Sequence, residues 1–172
     1  MPRLLVSPLS SLVDVLQTHD PSHLVSLLSP EHMIETPAGF PAASHLKLGV
    51  NDIVDPSAGP APPGRAHIEA LLEFSRGWDG ERPLLIHCWA GISRSMASAF
   101  TVLCDRLGPD LEIEIAQAMR RRAPHAQPNR LLVSHADEAL GRQGKMLAAL
   151  NTMAPPLLLE EGTTTDFPLV GL

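Results

Sequence analysis

The segment of residues 83–107 constrains the fold more than any other part of this 172-residue sequence. It begins with Pro83 and a continuous apolar run through Cys88, a pattern typical of a central strand that is covered on both faces. After a short turn, residues 95–107 are apolar on nearly every side, which predicts a buried helix. Because such a strand and helix both need further layers around them, the sequence predicts an α/β fold.

Short β-like runs alternate with helical patterns along the rest of the chain. Strands are predicted at residues 3–6, 23–28 and 45–50, and helices at residues 8–17, 65–76, 111–122 and 129–150, the last interrupted near Gly141 and Gly144. Alternating strands and helices predict a central, mostly parallel sheet flanked by helices. A chain of 172 residues also suits one core, so we predict a single domain.

Two segments lack these patterns. Residues 51–64 contain four prolines and two glycines, which predicts a loop, and loops of this length are usually functional or disordered. Residues 151–172, with Pro155-Pro156, are predicted to form a C-terminal extension. The domain itself would then occupy residues 1–150.

The charge of the chain argues against two classes of partner. Nineteen acidic and thirteen basic residues give a net charge of -6, so we expect neither a nucleic-acid nor a membrane partner. The N-terminal residues lack the uninterrupted apolar stretch of a signal peptide or a membrane span. Two cysteines cannot form a disulfide scaffold, which favours a reducing, cytoplasmic location. The excess of arginine over lysine indicates a GC-rich bacterial genome.

Residues 87–95, with the sequence His-Cys-Trp-Ala-Gly-Ile-Ser-Arg-Ser, carry the chemistry. The strand brings Cys88 to its carboxyl end, and Arg94 follows at the start of the helix. A loop that ends at a helix N-terminus favours anions, because its N–H groups and the helix dipole both attract negative charge. Gly91 can adopt the positive φ of a tight loop, and the guanidinium of Arg94 matches two phosphate oxygens. We expect Cys88 to ionise there and to attack phosphorus, with Ser95 hydrogen-bonded to the sulfur.

The pair His87-Cys88 followed by Arg94-Ser95 resembles the H-C-x5-R-S signature of the cysteine-based protein tyrosine phosphatases. The Ala-Gly-Ile-Ser sequence inside this loop is most similar to the dual-specificity branch of that family. The resemblance implies a tyrosine-phosphatase-like fold and hydrolysis of phosphomonoesters through a phosphocysteine intermediate.

The resemblance extends over residues 45–140. Residues 48–52 resemble the strand and loop that supply the general acid of the family, and the Pro-Asn pair at 128–129 resembles a segment ahead of a later helix. Asp52 takes the position of the acid, and we favour it over Asp55 in the same loop. The alternative for Asp52 is a local role in a turn.

The resemblance also implies a role for each remaining residue of the loop. The phosphate would be bound by Arg94 and by the loop residues Trp89, Ala90, Gly91, Ile92 and Ser93. His87 would be a buried supporting residue that orients the loop. For Trp89 the sequence leaves two roles open, stacking on an aromatic substrate or packing against the domain.

Three functions are compatible with these residues. The first is a tyrosine or dual-specificity phosphatase, acting on a phosphorylated protein or a small phosphomonoester. The second is a phosphate-binding module without activity, and the third is sulfur transfer through a persulfide on Cys88. The absence of cationic side chains inside the loop disfavours highly charged inositol lipids as substrates.

Other polar residues are interpreted as structural. Cys104 is predicted to be a small core residue. The three arginines at residues 120–122 are predicted to form a solvated helix end. The histidines show no spacing typical of a metal site, so neither a metal nor a cofactor is predicted. No sequence feature predicts the oligomeric state.

Overall fold

One five-stranded sheet organises the chain in the computed structural model, which describes residues 1–172. In chain order the elements are β1 (Arg3–Pro8), α1 (Leu12–His19), β2 (His23–Leu28), β3 (His45–Gly49), α2 (Arg65–Arg76), β4 (Leu84–Cys88), α3 (Arg94–Leu107), α4 (Glu112–Arg122), α5 (Arg130–Ala139), α6 (Lys145–Asn151) and β5 (Thr165–Pro168). Short 3-10 turns occur at Leu9–Ser11, Pro30–His32 and Ala42–Ser44.

The strand order of the sheet is β3-β2-β4-β1-β5. The first four strands are parallel, and β5 pairs antiparallel with β1 at the edge. The predicted single α/β domain with a mostly parallel sheet is therefore confirmed. All residues of β4 are buried, and its carboxyl end lies in the middle of the edge where open α/β sheets bind ligands.

The two faces of the sheet pack against different layers. Leu84 and Ile86 of β4 belong to the larger core, which includes residues of α2 to α6, whereas Leu85 packs in a smaller cluster with α1. Successive side chains of a strand point to opposite faces. Cys88 accordingly lies on the side of the larger core, and His87 on the side of the smaller cluster.

One helix differs from the sequence prediction, and another has the predicted interruption. The predicted helix at residues 8–17 is an α-helix that begins only at Leu12, because Pro8 extends β1 and a 3-10 turn follows it. The segment 129–150 contains two helices rather than one, α5 and α6. Gly141 and Gly144 lie between them with φ values of +64° and +85°, so the predicted interruption is confirmed.

The segment 151–172, which the sequence sets apart as an extension, contains the last strand of the sheet. β5 runs beside β1 in a register that pairs Arg3 with Pro168 and Val6 with Thr165. Phe167 is fully buried in the larger core. This segment therefore packs on the domain. No helix of the protein combines the length and apolarity needed to cross a membrane.

Candidate active site

The anion loop, residues 88–94, connects the central strand β4 to the buried helix α3. Cys88 is the last residue of β4 and is 2% exposed. Its Sγ lies 3.1 Å from the Oγ of Ser95 and accepts a hydrogen bond from the Gly91 N–H at 3.2 Å. Both contacts stabilise negative charge on the sulfur, which is what a cysteine nucleophile requires.

Gly91 is required by the packing of the anion loop against the end of β1. Its φ is +69°, a left-handed conformation that costs side-chain-bearing residues free energy. A Cβ at this position would lie 2.7 Å from the Pro8 nitrogen and 2.9 Å from the Ser7 carbonyl carbon. The sequence prediction of a positive φ is confirmed, and the close approach of β1 is a second reason for glycine.

The carbonyl groups of the anion loop bond outward to segments that surround it. The Trp89 and Ala90 carbonyls accept hydrogen bonds from the N–H groups of Leu9 and Gly162, at 3.1 and 2.8 Å. The Ile92 and Ser93 carbonyls accept in the same way from residues 127 and 129, at 2.9 and 3.2 Å. These carbonyls thus face away from the sulfur, and the one loop N–H that bonds Cys88 Sγ, that of Gly91, points to the inner side, where N–H groups attract anions.

Arg94 lies with its guanidinium buried at the N-terminus of α3. One donor of its guanidinium has an acceptor in the protein: Nη1 donates to the Val50 carbonyl at 2.9 Å. Its Nε is buried and has no partner in the protein. A buried N–H without an acceptor is unfavourable, so a donor of Arg94 is left for an anion at the loop.

The two candidate acids occupy different surroundings in the Asp52 loop, residues 51–64. Asp52 lines the same cavity as Cys88, and its Oδ1 accepts hydrogen bonds from Ser93 Oγ at 2.7 Å and Asn129 Nδ2 at 2.8 Å. Asp55 lies outside the cavity lining and accepts from the Ser57 hydroxyl and N–H at 2.7 and 2.8 Å. The Ser57 hydroxyl lowers the pKa of the Asp55 carboxyl from its usual range.

A buried chain of hydrogen bonds extends from Cys88 across the smaller cluster. Nδ1 of His87 lies 3.2 Å from the Cys88 carbonyl and must donate to it, because a carbonyl only accepts. Burial lowers the pKa of His87 to about 4, so its neutral ring accepts at Nε2 from the Ser26 hydroxyl, 2.6 Å away. Ser26 in turn lies 2.8 Å from Nε2 of His45, whose Nδ1 lies 2.9 Å from the Thr36 hydroxyl. His87 thus lies behind the loop, in a supporting position.

A cavity of about 840 Å³ adjoins the anion loop. Its lining includes Asp52, the loop residues Trp89, Ala90, Ile92, Ser93 and Arg94, two further arginines, Arg120 and Arg130, and residues 153–156. Trp89 is 56% exposed and meets His32 edge to face, with the ring centroids 5.8 Å apart. The indole is therefore available to a ligand and is not packed in the core.

Several parts of this lining, Arg130 among them, were not predicted from the sequence. Arg120, interpreted as part of a solvated helix end, contributes to the cavity, and so do residues 153–156 of the C-terminal segment. The Pro-Asn pair at 128–129 was a usable sequence signal for the hydrogen bond at Asp52, because Asn129 donates to that carboxylate. No pattern distinguishes Arg120 from the two arginines that follow it.

Cys104 lies away from the cavity, fully buried in the larger core as predicted. Burial raises the pKa of its thiol well above the usual value. Cys104 therefore packs as a small apolar side chain. No cluster of three or more His, Cys, Asp or Glu side chains is arranged to hold a metal ion.

Comparison with solved structures finds the same fold in several proteins. The chain is similar to the human tyrosine phosphatase-like serine/threonine/tyrosine-interacting protein, with 23% identity over 79% of this chain and 89% of that chain and a TM-score of 0.60. It is similar to DUSP15, with 20% identity over 90% and 94% of the two chains and a TM-score of 0.57. It is also similar to OH1 from the Orf virus, a tyrosine phosphatase with triple substrate specificity, with 17% identity over 81% and 83% and a TM-score of 0.58.

These likenesses establish the fold. No protein-family model matches the sequence, and no curated protein is significantly similar to it. The chain has the fold of the tyrosine and dual-specificity phosphatases, as the H-C-x5-R-S resemblance implied. At identities this low, the activity has to be argued from the site itself.

Proposed function

We propose that the protein is a cysteine-dependent phosphatase of the tyrosine or dual-specificity type, which hydrolyses phosphomonoesters through a phosphocysteine intermediate. One observation carries the proposal. The buried sulfur of Cys88 lies in an anion loop that leaves a donor of Arg94 without a partner, and Asp52 lines the same cavity. Nucleophile, anion clamp and acid are the three groups that phosphoryl transfer to cysteine requires.

In the first step the Cys88 thiolate attacks phosphorus. The sulfur–phosphorus bond forms, the bond from phosphorus to the leaving oxygen breaks, and that oxygen takes a proton from Asp52. Oδ1 of Asp52 already accepts two hydrogen bonds, which leaves Oδ2 to carry the proton. Arg94 and the loop N–H groups stabilise the charge on the transferring oxygens.

In the second step water releases the phosphate. The Asp52 carboxylate takes a proton from the water as its oxygen bonds to phosphorus, and the sulfur–phosphorus bond breaks. The departing thiolate is stabilised by the Ser95 hydroxyl and the Gly91 N–H, the two donors within reach of the sulfur. Inorganic phosphate leaves, and the enzyme returns to its initial state.

The direct test is hydrolysis of a generic aryl phosphate, measured in EDTA with a reductant. The wild type is expected to turn over the substrate, and Cys88→Ser is expected to abolish turnover, because a serine hydroxyl does not ionise at neutral pH. The fold of the variant is checked by its melting temperature. Absence of turnover by folded wild-type protein would contradict the proposal and favour a phosphate-binding module.

A matched pair of aspartate variants tests the acid. Asp52→Asn is expected to lower kcat by about 10²-fold or more, the usual contribution of a general acid. Asp55→Asn is the control and should leave kcat unchanged, because Asp55 bonds only within its own turn. Equal effects of both variants would contradict the assignment of Asp52. Persulfide transfer needs no acid, so sulfur transfer that survives Asp52→Asn would favour the sulfurtransferase alternative.

A further inference from the structure

The cavity has a charge opposite to that of the whole protein. The chain carries nineteen acidic and thirteen basic residues. The cavity lining, by contrast, contains three arginines, Arg94, Arg120 and Arg130, and one carboxylate, that of Asp52. A positive cavity in a negative protein favours anionic ligands through its local field. One phosphoryl group at the anion loop accounts for Arg94 but not for the other two arginines.

Arg120 lines the cavity and has no carboxylate partner, whereas five of the eleven arginines of this protein form an ion pair. Its Nη1 donates to the carbonyls of Pro124 and Ala126, at 2.7 and 3.0 Å. Its Nε is buried and has no partner. Burial without a counter-ion lowers the pKa of the guanidinium from its usual value, although an arginine remains charged at neutral pH. By comparison, the buried Arg142 pairs with Glu112 at 3.2 Å.

The neighbouring arginines of α4 do not share this environment. Arg121 is exposed and belongs to no ion pair or hydrogen bond with another side chain. Arg122 is also exposed and donates from Nη1 to the Asp166 carbonyl at 3.4 Å. Only Arg120 of these three lines the cavity. α4 thus brings one arginine, Arg120, to the cavity, and the exposed Arg121 beside it serves as a control position.

We propose that Arg120 forms a second anion subsite in the cavity, and that the preferred substrate is a phosphomonoester with a second anionic group, a carboxylate or another phosphate. This inference rests on the proposed function, because it assigns the first phosphate to the anion loop. The second anion supplies the counter-charge that the partly buried guanidinium lacks. A charge-assisted hydrogen bond to that group then raises the affinity for such substrates.

Matched phosphotyrosine peptides test the subsite. The neighbouring positions on either side of the phosphotyrosine carry glutamine, glutamate or phosphoserine in turn, and kcat/KM is measured for each peptide. The wild type is expected to prefer the best acidic peptide over its glutamine counterpart by about tenfold or more, the effect of one charge-assisted hydrogen bond. The glutamate and phosphoserine arms distinguish a carboxylate from a phosphate as the second anion. Equal kcat/KM for all peptides would overturn the proposal.

Variants of α4 identify the residue responsible. Arg120→Gln is expected to lose the preference for acidic peptides, and Arg121→Gln is expected to keep it. Because Arg120 also bonds the carbonyls that follow α4, Arg120→Lys is included: it keeps the charge but loses the planar fork. It should retain part of the preference, and added salt should weaken what remains. If Arg120→Gln lowers kcat/KM for neutral and acidic peptides equally, the residue is structural and the subsite is excluded.

A binding measurement separates this inference from the proposed function. Calorimetry on Cys88→Ser, with and without Arg120→Gln, measures the affinity for the same peptides without turnover. If Cys88→Ser binds acidic peptides in an Arg120-dependent way and the wild type hydrolyses no aryl phosphate, the subsite is kept and the phosphatase is rejected. Aryl phosphate hydrolysis without any preference in binding or kcat/KM would keep the phosphatase and reject the subsite.

Discussion

The anion loop and the Asp52 loop meet at one cavity, but the protein holds them in different ways. The anion loop is mostly buried, and neighbouring segments bond to its carbonyl groups from several directions. Half of the residues of the Asp52 loop are exposed, and much of the hydrogen bonding of this loop is internal: Asn51 bonds the carbonyls of Ala61 and Pro60 at 2.9 and 2.8 Å. Packing therefore positions Cys88, the proposed nucleophile, whereas two side-chain hydrogen bonds position Asp52, the proposed acid.

This difference has a consequence for mutations. A change in the anion loop should disturb stability and activity together, because the same contacts serve the core and the sulfur. A change at Asp52 or at one of its hydrogen bonds should affect activity with little effect on stability, since exposed substitutions usually change the free energy of unfolding by less than about 0.5 kcal/mol. Three predictions, two of them with matched control variants, probe this contrast.

The largest effect is expected for Gly91→Ala. The new Cβ would lie 2.7 Å from the Pro8 nitrogen, in a left-handed backbone conformation. Strain and overpacking should lower the free energy of unfolding by about 2–5 kcal/mol. Displacement of the loop by about 1 Å should lower kcat/KM by about 10²-fold. Urea denaturation and aryl phosphate hydrolysis measure the two effects.

Gly141→Ala is the matched control for this variant. Gly141 also has a positive φ, +64°, but a Cβ there would meet nothing within 4 Å. Only the conformational cost remains, about 1 kcal/mol, and activity should be unchanged. Equal losses of stability in the two variants would show that the contact with β1 has no role in the loop.

The second prediction concerns the free energy of unfolding at acidic pH, which depends on the buried histidines behind the anion loop. Burial lowers the pKa of His87 to about 4, below the value of about 6.5 in the unfolded chain. Between these values the unfolded state binds a proton that the folded state does not, so the free energy of unfolding falls as pH decreases from about 6.5 to about 4. The loss reaches roughly 3 kcal/mol for His87, and His45, with its pKa also lowered by burial to about 4, adds to it.

Urea denaturation across this pH range tests the prediction. His87→Gln should make the pH dependence less steep because one titrating ring is removed, whatever the effect of the variant on stability at pH 7. A wild-type stability that is constant between pH 6.5 and pH 4 would contradict the buried, neutral state of the histidines.

The same contrast explains which parts of the structure were accessible to sequence analysis. The β4–loop–α3 unit is local, and its apolar run, glycine and arginine all fall within a short window, so its position and its resemblance to a known loop were readable. β5 could not be predicted from the sequence, because its four residues pair with β1, which lies at the other end of the chain. Local propensity carries no information about such a pairing.

The residues at the cavity divide in the same way. Asp52 was predicted through its place in the resemblance, but its partners Ser93 and Asn129 come from separate segments and required the fold to be found. Arg120 could not be predicted from the fold topology alone, because the rotation of α4 about its axis decides which of three consecutive arginines reaches the cavity. Side-chain direction in a helix follows from packing, and an exposed helix end has no apolar pattern to fix it.

The smallest effect is expected at the one side-chain hydrogen bond that joins the two loops directly. Ser93→Ala removes the donor that lies 2.7 Å from Oδ1 of Asp52, while Asn129 still donates to the same oxygen at 2.8 Å. The acid should remain near its place but be less well oriented. We expect kcat to fall by about three- to tenfold, equivalent to about 1 kcal/mol for one hydrogen bond.

Ser57→Ala is the matched control, because it removes an equally short hydrogen bond, 2.7 Å, from Asp55. It should leave kcat unchanged. If Ser93 acts through Asp52, the variant Ser93→Ala should have no further effect once Asp52→Asn is present, a coupling that a double-mutant cycle measures. Independent, additive effects would instead place the role of Ser93 in the anion loop itself, and the acid would then be positioned by Asn129 alone.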